Sequence, residues 1–405
     1  MTSFPDLGVS HALLLQGPAG PFMHRFAKEL SDNGVKVTKV NFHAGDRYFF
    51  PDDTPFAEVR SFTEPMDRWS EYVARLLEAG ADGVFLFGDM RELHREAVAA
   101  AESAGAKVYV FEEGYVRPDW ITCEEHGVNG NSRMSRDPAF YLANAPADEP
   151  TALPVGQSFG LSAWYSTLNA LAFTHLNADF PHYRHHRPLN AWLHTAWWVR
   201  GASRKYWYGA KERNVLERFT GKLSGRYFFV PLQVHCDFQL RHSPYGDVLE
   251  FMDEVLEVFA EHASADDHLL FKHHPMDRPF REYTPYFRDA TRRHDLGDRM
   301  HYVHDLHLPT LLKHARGTIT INSTVGLQSA FHGTPVITMG TAVYDMPGLT
   351  FQGTLREFLA QPGEVDTELH DAFRRWLLHH NQVNGNFYKP LEGVDSPTGF
   401  RWFPS

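Results

Sequence analysis

Val108-Tyr-Val-Phe-Glu-Glu-Gly-Tyr-Val-Arg-Pro-Asp119 is the stretch from which the fold is read. Gly105-Ala-Lys turns into a short β-branched and aromatic run, which reads as a buried strand. The run breaks off into two adjacent acids, Glu112 and Glu113, followed by Gly114. Acids at the carboxyl end of a parallel strand lie where open α/β sheets bind ligands. Taken alone, the pair reads equally well as solvated acids closing a strand. Successive strand residues point to opposite faces, so only one of the two is expected to face a cleft. Glu113, next to Gly114 where the backbone opens, is the favoured one.

Upstream, the same pattern recurs. His11-Ala-Leu-Leu-Leu15 is an apolar strand, Gln16-Gly-Pro-Ala-Gly-Pro21 a glycine loop, and Phe22, Phe26 and Leu30 mark one face of a helix that leads to the strand Val35–Val40. The loop fits neither the dinucleotide fingerprint nor the P-loop, so a phosphate cradle around Gln16 and Gly17 and a plain tight turn both stay open. Met66–Leu77 reads as a helix, Gly83–Phe87 as a strand ending at Gly88-Asp89, and Glu92–Ser103 as the helix entering the Val108 strand. Strict alternation predicts a parallel sheet covered on both faces, with Asp89 and Glu113 at strand ends facing one crevice. Past Arg117 and Asp119, Trp120–Gly130 and Arg133–Pro138 read as polar loops beside that site.

Downstream of a proline- and acid-rich boundary at Ala145–Gly156, Leu161–Lys222 is helical in pattern. It is crowded with Trp192, Trp197, Trp198 and Trp207 and with Arg184, Arg187, Arg200, Arg204, Lys205 and Lys211. Tryptophan with bases on an amphipathic segment marks a membrane interface, or a helical pair with a solvated basic face. A second strand–helix series opens at Arg226–Leu232, followed by the helix Val248–Ala260 and the strand His268–Lys272, which ends in His273-His274-Pro275. Gly317–Ile321 runs into Asn322-Ser-Thr-Val-Gly326 and a helix, and His332-Gly-Thr-Pro-Val-Ile-Thr338 follows. Asp366–Asn381 reads as a helix returning to the first domain. Ser323 and Thr324, between strand and helix, offer hydroxyls and helix-start N–H groups to an anion, or serve simply as an N-cap. Lys272 and His274 supply a cation and a proton donor at a neighbouring strand end. The expected organisation is 1–150, 151–224 (helical), 225–360 and 361–405.

Composition narrows the function classes. The chain has 405 residues, 43% hydrophobic and 22% charged, the balance of a folded protein of two domains. A net charge of −11 argues against general nucleic-acid binding. No apolar run approaches the about 18 residues of a membrane span, and Met1–Gln16 has no secretion pattern. Two cysteines without metal spacing, and no HExxH or CxxC among 25 histidines, point away from a metal centre and toward a reduced, cytoplasmic setting. Clusters such as His182–Arg187 read as ordinary hydrogen-bonding residues.

Several motifs in this order resemble the capsule polysaccharide biosynthesis proteins of the KpsS and KpsC type, bacterial β-Kdo transferases, in the single-module KpsS form. They are Leu15-Gln-Gly-Pro, Phe111-Glu-Glu-Gly-Tyr-Val-Arg-Pro-Asp-Trp-Ile-Thr122, Arg136-Asp-Pro138, Lys272-His-His-Pro275, Ile321-Asn-Ser-Thr-Val-Gly326 and Gly333-Thr-Pro-Val336. The resemblance covers nearly the whole chain. It implies a GT-B-like architecture of two Rossmann-like domains facing a cleft, with CMP-β-Kdo as donor and no cofactor. It also implies a phosphatidylglycerol or lysophosphatidylglycerol acceptor at the inner face of the cytoplasmic membrane, in the company of other capsule synthesis and export proteins. By the same resemblance, Glu113 carries the catalytic carboxylate with Glu112 and Asp89 beside it. Lys272, His274, Pro275, Asn322, Ser323, Thr324 and Gly326 hold the nucleotide sugar, and Gln16, Gly17, Arg117 and Asp119 line the acceptor side. Where the KpsC-type pattern has Asp, this chain has Glu113, one methylene longer. A transferase or epimerase using a UDP-sugar, and a non-catalytic export adaptor, are the alternatives. UDP-sugar enzymes of this kind place a glutamate on the ribose, and no clear candidate stands after Gly333-Thr-Pro-Val336.

Overall fold

The structure, a computed structural model, describes residues 4–185 and 190–402. In chain order its first elements are β1 (His11–Leu14), α1 (Phe22–Asp32), β2 (Lys36–Asn41), α2 (Ala44–Phe49), β3 (Glu58–Ser61), α3 (Trp69–Glu78), β4 (Gly83–Phe87), α4 (Glu92–Ala104), β5 (Lys107–Glu113) and β6 (Trp120–Glu125). Four helices follow: α5 (Pro138–Asn144), α6 (Phe159–Leu176), α7 (Ala191–Lys211) and α8 (Val215–Thr220). The second strand–helix series is β7 (Tyr227–Pro231), α9 (Val248–His262), β8 (His268–Lys272), α10 (Thr284–Arg293), β9 (Met300–Val303), α11 (Leu308–His314), β10 (Gly317–Thr320), α12 (Val325–Phe331) and β11 (Val336–Thr338). The chain closes with α13 (Leu355–Ala360), α14 (Thr367–His380) and β12 (Gln382–Asn384).

The chain divides into two compact units. Unit 1 takes the chain up to Arg133, Pro146–Thr195 and everything from Arg375; unit 2 takes Met134–Ala145 and Ala196–Arg374. The expected middle segment 151–224 is therefore no body of its own. Its first part, with α6, groups with unit 1, and the rest with unit 2, the chain passing between units inside α7.

Unit 1 is built on a seven-stranded sheet in the order β12-β6-β5-β4-β1-β2-β3. Alternate residues of its strands enter two separate cores: Ala12, Leu14, Phe85, Tyr109 and Phe111 on the side of α1, and Leu13, Leu15, Val84, Leu86, Val108 and Val110 on the side of α3 and α4. A strand buried on both faces reads as an unbroken apolar run, which is why β1, β4 and β5 stand out in the sequence. Five strands, β3 to β5 across the sheet, are parallel as expected. The other two correct the expectation of an all-parallel sheet. Trp120–Glu125 is not a polar loop but a strand antiparallel to β5, and β12 pairs antiparallel to it. Its acid Glu124 is buried because Tyr115 Oη donates to it at 2.6 Å and the Ser132 hydroxyl donates to its other oxygen.

The C-terminal segment returns to this unit. Phe387, Phe400 and Trp402 sit in the α1-side core. Buried Glu29 on α1 accepts from Thr398 N at 2.9 Å, from the Thr398 hydroxyl, and from Trp402 Nε1 at 2.8 Å.

Unit 2 has five parallel strands in the order β11-β10-β7-β8-β9. From β7 the chain winds out through β8 and β9, then crosses to β10 and β11 on the other side. The order reverses between β7 and β10, and at that reversal the strand ends open a crevice. Phe228, Val230, Leu269 and Phe271 face one core, while Tyr227, Phe229 and Leu270 face the other. The protein is thus α/β, with two doubly wound Rossmann-like units, the domain content of a GT-B-like architecture.

In the helical part, α7 buries Tyr208 and sets Trp197 edge-on against Phe280 at 4.9 Å. Trp192 (78% exposed) and Trp207 (68% exposed) point to solvent instead, so these two, not Trp197 and Trp198, are its exposed tryptophans. Of the cluster His182–Arg187, His186 and Arg187 lie outside the described residues.

Candidate functional site

In unit 1 the two acids end β5 as part of a hairpin: Glu112 lies opposite Thr122 and Glu113 opposite Ile121. Glu113 N donates to Glu112 Oε1 at 3.1 Å. The strand alternation separates the side chains. Glu112 follows the parity of Val108 and Val110, and its Oε2 lies 3.2 Å from the position a Cβ would take at Gly88. Glu113 follows Tyr109 and Phe111 toward the α1 side, where burial and then the Glu113 charge push the Tyr388 hydroxyl up. Among the described residues the half-buried Glu113 carboxylate makes no hydrogen bond or ion pair.

The backbone beneath it is held from three directions. Thr122 Oγ1 donates to Glu113 O at 3.1 Å, Gln382 Nε2 donates to Thr122 Oγ1 at 3.0 Å, and Gln382 Oε1 accepts from Val116 N at 3.3 Å. Gly114 is required by packing: a Cβ there would lie 2.8 Å from Val116 O, 2.7 Å from the Trp120 carbonyl carbon, and closer still to Trp120 O. The turn back to β6 contains the cis Arg117–Pro118 peptide.

The other expected residues of this unit fall into different places. Asp89 does not face a crevice. It is 2% exposed, and its Oδ2 accepts from Val128 N and Asn131 Nδ2, both at 3.0 Å, because the segment after β6 needs a carboxylate to satisfy its N–H groups. Asp119 Oδ1 accepts from Val155 N at 2.7 Å, and its carbonyl accepts from Asn384 Nδ2 at 2.8 Å, so it ties β12 and the 155 segment to the hairpin. Arg117 is exposed, with Nε donating to Gly114 O at 3.1 Å.

Gln16, two residues past β1, is buried in a polar knot: Nε2 donates to Tyr183 Oη at 3.0 Å and to Asp46 Oδ2 at 3.3 Å, and Oε1 accepts from Arg91 at 3.0 Å. At Gly17 a side chain would meet the flexible Met23 chain. His43 Nδ1 accepts from Gly45 N at 2.9 Å, and its Nε2 lies 3.5 Å from Asp46 Oδ1. Burial raises the Asp46 carboxyl, but His43 and Lys39 outweigh it and hold it below its ordinary range; burial brings Lys39 down to about 8. His43, Asp46, Arg91 and Tyr183 were not anticipated. The signal for the first two was Asn41-Phe-His-Ala-Gly-Asp46, polar groups directly after a strand.

In unit 2 the expected residues gather at the carboxyl ends of β8 and β10. Lys272 is 8% exposed and brought down by burial, with Asp305, Arg278 and Glu212 as its charged neighbours. His273 is buried and pushed down to about 3, first by burial and then by His304, and its Nδ1 meets Tyr302 Oη at 2.6 Å. His274 is half-buried, and its Nδ1 accepts from Met276 N at 3.1 Å. In the neutral ring, Nε2 then carries the proton, as a donor to an anion requires. Pro275 starts the short turn Pro275–Asp277 and fixes its first dihedral.

Asn322 is 1% exposed and fully engaged: Nδ2 donates to Gln239 O at 2.8 Å, and Oδ1 accepts from Gln233 Nε2 at 3.0 Å. Gln233, at the end of β7, thus pins the two strands that flank the reversal of strand order. It was not anticipated, although a polar residue just past the first strand of a doubly wound unit is a signal. Ser323 Oγ accepts from Val325 N at 3.2 Å, which leaves its proton to donate outward, and the Thr324 hydroxyl makes no hydrogen bond among the described residues. Gly326 is a packing residue, since a Cβ there would lie 2.7 Å from Tyr344 Cζ. Among the described residues, no group of three or more His, Cys, Asp or Glu side chains is arranged to hold a metal ion.

Comparison with known proteins adds the following. The sequence model of a family described as capsule polysaccharide biosynthesis protein matches residues 82–388. The chain is 39% identical over 381 residues to the capsule polysaccharide export protein KpsS of Escherichia coli, covering 93% of this chain and 96% of that one. It is 38% identical over 386 residues to the capsule polysaccharide modification protein LipB of Neisseria meningitidis serogroup B, covering 94% and 92%. Among solved structures it is similar to the β-Kdo 2,7 transferase of KpsC from Thermosulfurimonas dismutans, with TM-score 0.39 and 15% identity over 84% of this chain and 98% of that one.

Proposed function

The chain belongs to the capsule polysaccharide biosynthesis protein family, and within it we propose a glycosyltransferase that moves Kdo from CMP-β-Kdo to a phosphatidylglycerol-type lipid with retention of configuration. The observation that carries this reading is the Glu113 carboxylate: half-buried, without a hydrogen-bond partner among the described residues, and fixed at a strand end by a backbone it cannot shift.

Retention follows from two displacements. In the first, a Glu113 oxygen attacks the anomeric carbon of Kdo, a carbon–oxygen ester bond forms, the bond to the phosphate oxygen breaks, and CMP leaves with the electron pair. In the second, the acceptor hydroxyl attacks that carbon, the ester breaks to restore the carboxylate, and the hydroxyl proton passes to a base. Asp89 and Asp119 each accept from a backbone N–H, and Glu112 points to the opposite face of the strand from Glu113, so the base that takes the hydroxyl proton is a phosphate oxygen of the departing CMP or water rather than a second carboxylate. His274 Nε2–H, Ser323 and Thr324 donate to the departing phosphate, and on this reading the leaving-group charge needs no metal.

A lipid acceptor is supported by α6 and α7. Neither contains an acidic residue, although the chain carries −11 overall. Trp164, Trp192, Tyr206 and Trp207 are exposed on them beside Arg200, Lys205 and Lys211. No helix of the described residues is long and apolar enough to cross a membrane. We therefore read these helices as lying on an anionic lipid surface.

The test is mass spectrometry of a reaction holding CMP-Kdo, a fluorescent lysophosphatidylglycerol and EDTA, with wild type and Glu113→Gln. One Kdo added per lipid by wild type, none by the variant, and equal CMP binding by both is the expected result. CMP binding without product rejects the acceptor. Preference for UDP over CMP rejects the donor, and equal product from both proteins rejects the role of Glu113.

A further inference from the structure

Outside the strand-end site, unit 2 holds a cavity of about 390 Å³ along β9, the edge strand of its sheet, a volume within the range of small-ligand sites. It is walled by the end of α7, by α8 and by α10. Three cations line it: Lys211, Arg218 and Arg288. All three are exposed, and none of their side chains makes an ion pair or hydrogen bond among the described residues. Other arginines of this unit are paired, Arg278 with Asp305 at 2.9 Å and Arg316 with Asp267 at 2.6 Å.

The one acid in the lining, Glu212, makes no ion pair with them, its oxygens being engaged elsewhere. Its Oε1 accepts from His304 Nδ1 at 2.7 Å, and its Oε2 accepts from His304 N at 2.9 Å and Asp305 N at 3.1 Å. Three like charges around one cavity repel each other, a cost that a bound anion removes. The floor is apolar, formed by Phe219, Phe287 and Met300. The Arg218 charge also reaches the wall: His301 is pushed down to about 3 by burial first and Arg218 second, so its ring is neutral near pH 7.

We propose that this cavity is a second anion site, which takes a phosphate ester carried on a small apolar or glycerol stem. Guanidinium groups match phosphate oxygens in geometry, and the apolar floor suits a stem rather than a bare ion. The cavity lies along β9, two strands and about 10 Å across the sheet from β7, and its lining residues Glu212 and Tyr302 also neighbour Lys272 and His273 at the end of β8. The phosphate has two possible sources with the same chemistry. One is a lipid headgroup, since Lys211 is also the last residue of α7 with its exposed aromatic face. The other is a free phosphate ester.

The experiment is calorimetric titration of the full chain with inorganic phosphate, glycerol 3-phosphate, short-chain lysophosphatidylglycerol and zwitterionic lysophosphatidylcholine, and separately with CMP. It is run on wild type and on the double variant Arg218→Ala/Arg288→Ala, both changes being at exposed side chains that hold no partner. The expected result is saturable binding of a phosphate probe to wild type, about 10- to 100-fold weaker in the variant, from loss of two charge-assisted contacts. CMP affinity and melting temperature are expected to be unchanged. Binding of both glycerol 3-phosphate and the lysolipid supports a free ester, and binding of the anionic lysolipid alone supports a headgroup. Saturable binding of no probe, equal binding by both proteins, or a parallel loss of CMP affinity overturns the proposal. The outcome does not depend on whether Kdo transfer occurs.

Discussion

Replacing Gly114 by alanine tests whether the hairpin fixes the carboxylate proposed as catalytic, Glu113. The added methyl would lie 2.7 Å from the Trp120 carbonyl carbon and 2.8 Å from Val116 O, against 3.4 Å for ordinary contact, so the hairpin must yield by at least about 0.7 Å. All of these neighbours are backbone atoms, so no side-chain rotation relieves the clash. Glu113 is covalently next to the methyl, and its carbonyl is held by Thr122, so its carboxylate moves with the turn. A misplacement near 1 Å costs on the order of 10²-fold in rate, and overpacking costs about 1–3 kcal/mol of stability. The assay is Kdo transfer at saturating CMP-Kdo, beside CMP affinity by calorimetry and a thermal melt. We expect kcat to fall about 100-fold with CMP affinity unchanged, because the residues proposed to hold the nucleotide make no part of this hairpin. Full activity, or equal loss of activity and CMP binding in a folded protein, refutes the reasoning.

Three further outcomes follow from buried groups. Buried Glu29 satisfies three donors of the C-terminal segment, so Glu29→Leu orphans them and is expected to lower stability by about 3–5 kcal/mol, read as an earlier urea midpoint and faster proteolysis after Pro390. Lys39 is depressed to about 8, so its penalty is full below pH 8 and fades as pH rises toward its unfolded value. Lys39→Met should gain up to about 3 kcal/mol on wild type at pH 7 and lose that gain near pH 10, and a gap independent of pH would contradict it. His94 is pushed down to about 3 by burial, then by Arg91. The unfolded chain therefore binds a proton that the folded one does not between about pH 6.5 and 3, and stability falls on acidification by about 1.4 kcal/mol per pH unit. His94→Gln should flatten that acid limb in urea titrations between pH 4 and 6, and an unchanged slope would refute the assignment.

Strands buried on both faces were legible, two of them to the residue. Gly83–Phe87 and His268–Lys272 coincide with β4 and β8, since parallel central strands are continuous apolar runs. β6 was hidden because Glu124 reads as exposed, and its burial depends on Tyr115 and Ser132, which one strand cannot announce. β12 is only three residues, Gln382-Val-Asn384, two of them polar, and its strand character comes from pairing with β6. The site divides in the same way. Groups at strand ends, such as Glu113, His274 and Ser323, were visible from local pattern. Gln233 acts through Asn322, 89 positions away, and Asp89 through Val128 N, contacts that no local periodicity encodes.

The strand-end motifs therefore mix two kinds of residue that conventional motif reading lumps together. In Glu112-Glu113-Gly114, the glycine and the partners Thr122 and Gln382 determine where the backbone lies, and the Glu113 carboxylate projects from there. In Asn322-Ser323-Thr324-Val-Gly326, the outer two members are buried packing and tie residues, and only the two hydroxyls between them reach outward. A side chain on a strand is held more tightly than one on a loop. The β4 ladder ends at Phe111, so Glu113 is paired on one side only, by Ile121 of β6, and the hairpin alone sets where its carboxylate starts. On the proposed reading, the extra methylene of Glu113 over the Asp that the resemblance sets here calls for a backbone lying farther from the sugar, which ties the identity of this acid to the geometry of the hairpin behind it.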